Sequence, residues 1–384
     1  FFLFFAFGIE FVWETLPLMF FEEVPIYYTI IVTTLGGLFV GLSIKYLGNN
    51  SAPGFKEAMD ELFDDGRINY KYLPEVIVKG FLSLFSGASL GPEAMLTDIS
   101  GSMSTYVSDK LKYNKTKSRI LGFAGIGAFF SAFFSSPLAT GILPLEIRHS
   151  KTLAYYSLLI PVVFAACVSF VIFNYFGFSF AGFYELPDYS GFELIHIFYG
   201  IMLSFVGIGL AMILKLMSGF SKQIADLFKD NVVLKATFAG IIIGIVGMLF
   251  PLTLFSGEHG LEEVLSHWSE IGFGLLIVIS IFKLFSTTLA LASGFKGGAI
   301  FPLIFVGGSV GIAMHILFPF IPFVVAFVSV LTALLTLAMK IPISVILLIS
   351  SIISLELTPV IAIVAFFTFI LTTTNEEIFS EYKV

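Results

Sequence analysis

Charged residues are what this sequence lacks most. Asp, Glu, Lys and Arg make up only 12% of its 384 residues, against about a quarter in a soluble globular domain. With 57% hydrophobic residues and a mean hydropathy of +0.99, the shortage excludes a water-soluble fold and predicts a polytopic membrane protein. Cysteine is nearly absent. Cys167 stands alone in an apolar run, which excludes an intramolecular disulfide and any Cys-based metal site. Five histidines lie scattered without ligand spacing, so a membrane-embedded enzyme finds neither a metal cluster nor a nucleophile–base pair. No cofactor, metal or nucleic-acid partner is expected; the partners are a lipid bilayer and whatever crosses it. The net charge of −7 adds little, because orientation follows Lys and Arg placement in short loops. No signal peptide is evident either, and the chain, opening on Phe1 inside an apolar segment, is read as lacking a short N-terminal piece.

What fills the chain is apolar helix, repeatedly interrupted. Phe1–Phe20 reads as the end of a membrane helix with Glu10 and Glu14 as a polar stripe. Val24–Leu47 is expected to span, and Phe55–Asp65 to lie as an acidic, amphipathic surface segment. Leu73–Phe85 follows, then a small-residue helix from Glu93 to about Val107 and a Gly/Ala-rich one over Ile120–Phe134. Lys110, Lys112, Lys115, Lys117 and Arg119 crowd one loop between them, which suggests the cytoplasmic side. Leu153–Phe178, Ile195–Leu216 and Val233–Phe250 form the middle, and Ile271–Ala292, Val324–Met339, Pro342–Ile353 and Pro359–Leu371 the remainder. Phe255–Gly260 reads as a loop with a solvated His259, and Lys283, inside an apolar run, faces protein or water. The polar tail Thr372–Val384 closes the chain with no soluble domain expected after it. The expectation is an all-α polytopic membrane protein, one transmembrane domain over residues 1–384.

The interruptions carry the chemistry. In lipid, a broken helix survives only where it is buried in protein or lines a wet cavity. Over Ser86–Met95, Gly87 and Gly91 let the backbone turn, and Pro92 suits the first turn of a helix opening at Glu93. A half-helix N-terminus aims unpaired N–H groups at such a cavity and makes an anion site. Glu93 is an anion already tethered there. Intramembrane carboxylates are functional by default; the alternative is a plain first-turn Glu favoured by the macrodipole. Further breaks fall at Gly48–Gly54, Ser135–Gly141 and Ser293–Pro302. The two halves echo each other: Ser86-Gly87…Pro92 is matched by Ser293-Gly294…Pro302, and Ser136-Pro137-Leu138 by Ile341-Pro342-Ile343. Their offsets agree at roughly 205–210 residues, as in an internally duplicated transporter with approximate halves 24–216 and 233–384.

These breaks, in this order, resemble the CLC family of chloride channels and chloride/proton antiporters over nearly the whole chain. Leu90-Gly91-Pro92-Glu93-Ala94-Met95 resembles the family's Gly-Arg-Glu-Gly-Pro motif, with Pro92 for Arg, Ala94 for Gly, Met95 for Pro, and Glu93 on the gating glutamate. Gly297-Gly298-Ala299-Ile300-Phe301-Pro302 resembles the Gly-x-Phe-x-Pro segment whose amides line the anion site. Asn49-Asn50-Ser51-Ala52-Pro53 resembles Gly-Ser-Gly-Ile-Pro, which puts Asn50 where an anion-contacting Ser normally sits. Ser136-Pro137-Leu138-Ala139 and the following Glu146 resemble the helix that begins Asn-Ala-Pro-Leu-Ala-Gly and ends in Glu. The resemblance implies a CLC-type inverted repeat of the prokaryotic kind, without C-terminal CBS domains. It also implies a homodimer with a separate pore per subunit, in a prokaryotic inner (cell) membrane.

The departures bear on mechanism. Proton-coupled members usually carry a second glutamate just after the position of Glu146; here it is Ile147. The family's central-gate tyrosine falls on Phe379, with Tyr382 close enough to compete. The resemblance therefore implies transport of chloride or a similar small anion through a pathway gated by Glu93, passive or loosely proton-coupled. The alternative is a tightly coupled chloride/proton antiporter whose proton route bypasses Ile147. Anion contacts are expected from Asn50, Ser51, Gly91, Ala299, Ile300, Phe301 and Phe379. Glu146 is a proton-path candidate, with a pairing to Arg148 as its other reading.

Overall fold

Every backbone polar group in a bilayer must be satisfied within the protein, so a chain this apolar folds as helices. The computed structural model describes residues 7–51, 54–146, 154–177, 186–187, 189, 191–353 and 355–373, and among them there is no strand. After a short helical start with a π-helical turn at Phe11–Thr15, the helices are α1 (Tyr28–Leu47), α2 (Phe55–Asp65), α3 (Leu73–Phe85), α4 (Glu93–Lys110) and α5 (Lys115–Phe134). Then come α6 (Pro137–Glu146), α7 (Ala154–Tyr175), α8 (Leu194–Asp226), α9 (Val232–Leu249) and α10 (Glu258–Ala292). The chain continues through α11 (Ile300–Leu317), α12 (Phe323–Met339), α13 (Pro342–Ile352) and α14 (Thr358–Thr373). Seven helical stretches among the described residues are long and apolar enough to cross a membrane. Phe164 and Val171 on α7, with Phe198 and Phe205 on α8, are exposed, as a lipid-facing surface requires. The protein is an integral membrane protein of all-α architecture.

The breaks are written into the backbone. Gly48 ends α1 at φ 95°, and Gly87 ends α3 at φ 77°, conformations that only glycine adopts without strain. Two corners share one geometry: Ser135 (φ 51°) and Lys340 (φ 58°) each turn left-handed two residues before a proline that opens the next helix. Close packing follows from small residues. Gly37 and Gly41 of α1 lie on the backbone of Ala236 and Val233 in α9, while Gly240 and Gly244 return the contact onto Thr33 and Ile30, with no room for a Cβ at any of the four. At the centre, α11 and α12 are buried along nearly their whole length.

Readings of the sequence change at α8 and α10. Phe255–Gly260 is not a continuous loop: Gly257 turns at φ 98° and Glu258 already opens α10, where a first-turn carboxylate suits the helix dipole. That helix is kinked at His267 and at Gly272 (φ 73°). The segment placed at Ile195–Leu216 continues to Asp226, because a polar end, Ser218–Asp226, extends the helix past its apolar stretch. Lys283 faces protein, one of the two surroundings expected of it. Its ammonium donates to the carbonyls of Leu252, Leu254 and Phe255 at 3.0, 3.1 and 3.3 Å and lies over the Phe305 ring at 4.6 Å, so it pins the turn before α10. Ile147, Arg148, Phe379 and Tyr382 lie outside the described residues.

Candidate anion-binding site

The chain breaks before α4 and α11 meet. Gly91 and Gly298 exchange two backbone hydrogen bonds, Gly91 N to Gly298 O at 2.8 Å and Gly298 N to Gly91 O at 2.7 Å, an isolated antiparallel bridge inside a helical protein. A Cβ on either glycine would press on the Glu93 carboxylate where it now lies. That carboxylate is fully buried. Its Oε1 accepts the Phe301 N–H at 3.0 Å, and its charge also interacts with the amides of Ile300 and of Glu93 itself. Oε2 has no hydrogen-bond partner. A carboxylate on helix-terminal amides is what the macrodipole favours, but leaving a buried oxygen unpaired costs on the order of 1–3 kcal/mol. The side chain is thus held well on one oxygen and poorly on the other, as suits a group that leaves.

The amides keep their aim because the ring beside them is fixed. Phe301 stacks on Phe134 (5.1 Å, 6°) and meets Phe133 edge-on (5.2 Å, 88°). Each such contact is worth about 0.5–1.5 kcal/mol, and together they tie the start of α11 to the end of α5. A cavity of about 140 Å³ opens at Glu93, lined by Gly297–Ile300 and Leu303, by Gly54–Lys56, and by Ala338–Ile341. Three separate breaks of the chain therefore converge on one carboxylate. Lys56 and Lys340 give this cavity a basic rim. A larger cavity of about 560 Å³ ends on Leu90, three residues before Glu93, and its wall carries Glu10, Glu14, Glu258, Glu263 and His259. Glu258 and Glu93 repel each other electrostatically.

The expected site residues divide. Gly91, Glu93, Ala299, Ile300 and Phe301 come together. Asn50 and Ser51 are placed elsewhere: both amides and both side chains donate to the Glu75 carboxylate, at 3.0–3.4 Å. It is Gly54–Lys56 of that break that reach the cavity. Phe379 lies outside the described residues. Glu146 is bound to α13, accepting from Ile343 N, Ser344 N and Ser344 Oγ, each at 2.7 Å. Two carboxylates of the first half thus cap helices of the second half.

Sequence reasoning missed the charges around the breaks. Glu75 and Lys79 form a buried ion pair at 2.6 Å, and Lys79 also reaches Asn49 Oδ1 at 2.9 Å. Asp98 and Lys296 form another at 2.6 Å. A Glu and a Lys four residues apart inside an apolar helix were the available signal for the first; the second joins positions 198 residues apart and left none.

A sequence model described as "Voltage gated chloride channel" matches residues 36–373. Among curated proteins, "Putative ion-transport protein YfeO" of Escherichia fergusonii is 28% identical over 325 residues, covering 81% of this chain and 73% of the relative. The protein of that name from Shigella flexneri matches with the same figures. A solved structure of a slow cyanobacterial Cl−/H+ antiporter superposes with a TM-score of 0.78 at 23% identity, covering 98% of this chain and 92% of that one. A CLC-type fluoride/proton antiporter superposes at 0.74 with 19% identity, covering 97% and 91%. At such identities the likeness concerns the fold.

Proposed function

The chain belongs to the voltage-gated chloride channel (CLC) family, and from that premise we propose that it carries chloride or a similar small anion across the membrane through a pathway gated by Glu93. One observation supports this above the others: the Glu93 carboxylate occupies the α11 amides, at the head of a cavity, where a dehydrated anion finds N–H donors. An ionised Glu93 competes with the anion for those donors. Protonated or swung aside, it yields them. The anion contacts come from the amides of Gly298–Phe301, with Gly91 shaping the wall and Phe379 as a further contact. Asn50 and Ser51 act through Glu75, by fixing the break whose end, Gly54–Lys56, lines the cavity. The reading takes residues 1–384 as one transmembrane unit of two related halves, working as a homodimer in a prokaryotic cell membrane.

Transport in this reading is passive or loosely proton-coupled, because Ile147 stands where a proton-carrying glutamate is usual and Glu146 is engaged by three donors of α13. The second reading is tightly coupled exchange, favoured by the antiporters among the structures of the same fold. Purified protein in liposomes, with anion efflux and proton movement recorded together, separates them. Anion efflux with little proton movement is expected. An imposed chloride gradient that drives protons uphill at a fixed ratio establishes the exchanger, and the absence of any anion efflux overturns both.

A further inference from the structure

Asp98 lies on α4 five residues after Glu93, and Lys296 lies in the break before α11, two residues before Gly298. Both are buried, with Lys296 Nζ 2.6 Å from Asp98 Oδ2. The Lys296 amide donates to Ser83 Oγ of α3 at 2.8 Å. The charged groups around the pair are Lys79 with its partner Glu75 on α3, and Glu61 on α2, all within electrostatic range.

Burying two opposite charges seldom makes a protein more stable than well-packed apolar residues would, because desolvation offsets the attraction. What such a pair provides is a fixed relative position. The Ser293–Ala299 break has few side chains by which to be positioned: Phe295 packs into the core and the Lys296 amide reaches Ser83, but the rest is largely glycine. Its glycines Gly294, Gly297 and Gly298 offer no side chains to hold, and Gly294 sits at φ 91°. It and the start of α11 are tied to α4 and the break before it by the Glu93–Phe301 hydrogen bond, the Gly91–Gly298 bridge and the ion pair. The first is lost whenever Glu93 leaves the amides. The second joins two glycines. The third is the one anchored at both ends by a side chain, and it does not involve the gate.

Resting on the anion-transport reading above, we propose that Asp98 and Lys296 are positioning residues for the anion site, holding the Gly298–Phe301 amides at their spacing when Glu93 is displaced. Neither touches the anion. Their effect falls on affinity for the anion rather than on the pH dependence that Glu93 confers.

The test must separate positioning from folding. A single substitution strands a buried charge, so the informative variant is Asp98→Leu with Lys296→Met, which removes both charges and leaves an apolar contact that the fold tolerates. Its thermal midpoint in detergent is expected at or above that of the unaltered protein. Chloride affinity by isothermal titration calorimetry is expected to weaken by about tenfold. Maximal efflux from liposomes at saturating chloride should stay within about twofold, the signature of lost binding rather than a lost step. The reversed pair, Asp98→Lys with Lys296→Asp, should recover most of the affinity. Unchanged affinity in the double variant overturns the proposal, since the pair is then mere filling. Failure of that variant to fold also overturns it, by assigning the pair to the fold. Unaltered protein that neither binds nor carries chloride defeats the functional reading itself and this inference with it.

Discussion

Glu93 is a residue with two competing claims on it. Its buried Oε1 gains a charge-assisted hydrogen bond from Phe301, while its Oε2 has no hydrogen-bond partner. Protonation weakens the first claim, because a neutral carboxyl is a poorer acceptor for helix-terminal amides than a carboxylate. The expected consequence is anion flux that rises as pH falls. Glu93→Gln keeps the shape and removes the charge, so its flux at neutral pH should match that of the unaltered protein in acid and vary little with pH. Liposome efflux at a series of pH values measures this, and a variant that keeps the original pH profile takes Glu93 out of the gating role.

Helix α13 shows how an element depends on a distant side chain. Pro342 opens it, and the preceding Ile341 has no side chain able to cap. The cap arrives from the end of α6: Glu146 takes two backbone N–H groups and the Ser344 hydroxyl. Removing it strands the donors in a buried helix corner. Glu146→Ala is therefore expected to lower stability by on the order of 2–4 kcal/mol, from the loss of a cap and of charge-assisted bonds. Unfolding in detergent checks the loss, while the ratio of protons to anions moved in liposomes should not change. A variant of unaltered stability with an altered ratio would return Glu146 to a proton path.

Across the whole molecule, the two cavities near Glu93 carry opposite charge. Lys56 and Lys340 rim the smaller, whereas Glu10, Glu14, Glu258 and Glu263 line the larger. An anion approaching from the acidic side meets repulsion, and that repulsion is screened over about 10 Å at 0.1 M salt. Glu10, Glu14 and Glu263 are exposed, so replacing all three by Gln should leave the fold intact and speed anion uptake from that side at low ionic strength. The gain should shrink toward nothing in several hundred millimolar of an inert salt. A rate gain independent of salt would mean that the carboxylates act by shape rather than by field.

Much of this was legible in the one-dimensional chain, for a physical reason. Lipid favours helices, so apolar stretches marked helices such as α3 and α14, the acidic amphipathic pattern marked α2, and Gly and Pro marked the breaks. A carboxylate beside such a break, Glu93, was conspicuous because charge is so scarce. The sequence also marked the paired breaks as a candidate site, since a helix carries partial positive charge at the N-terminus where it begins. It did not determine which groups face that site. Asn50 points to Glu75, because a buried carboxylate beside Lys79 gathers every nearby donor. Glu146 caps α13, and Lys296 reaches Asp98 across 198 positions. Hydrophobic pattern is a local property and reads along the chain. The partner of a buried polar group is set by which elements come to lie beside it, and only the tertiary structure decides that.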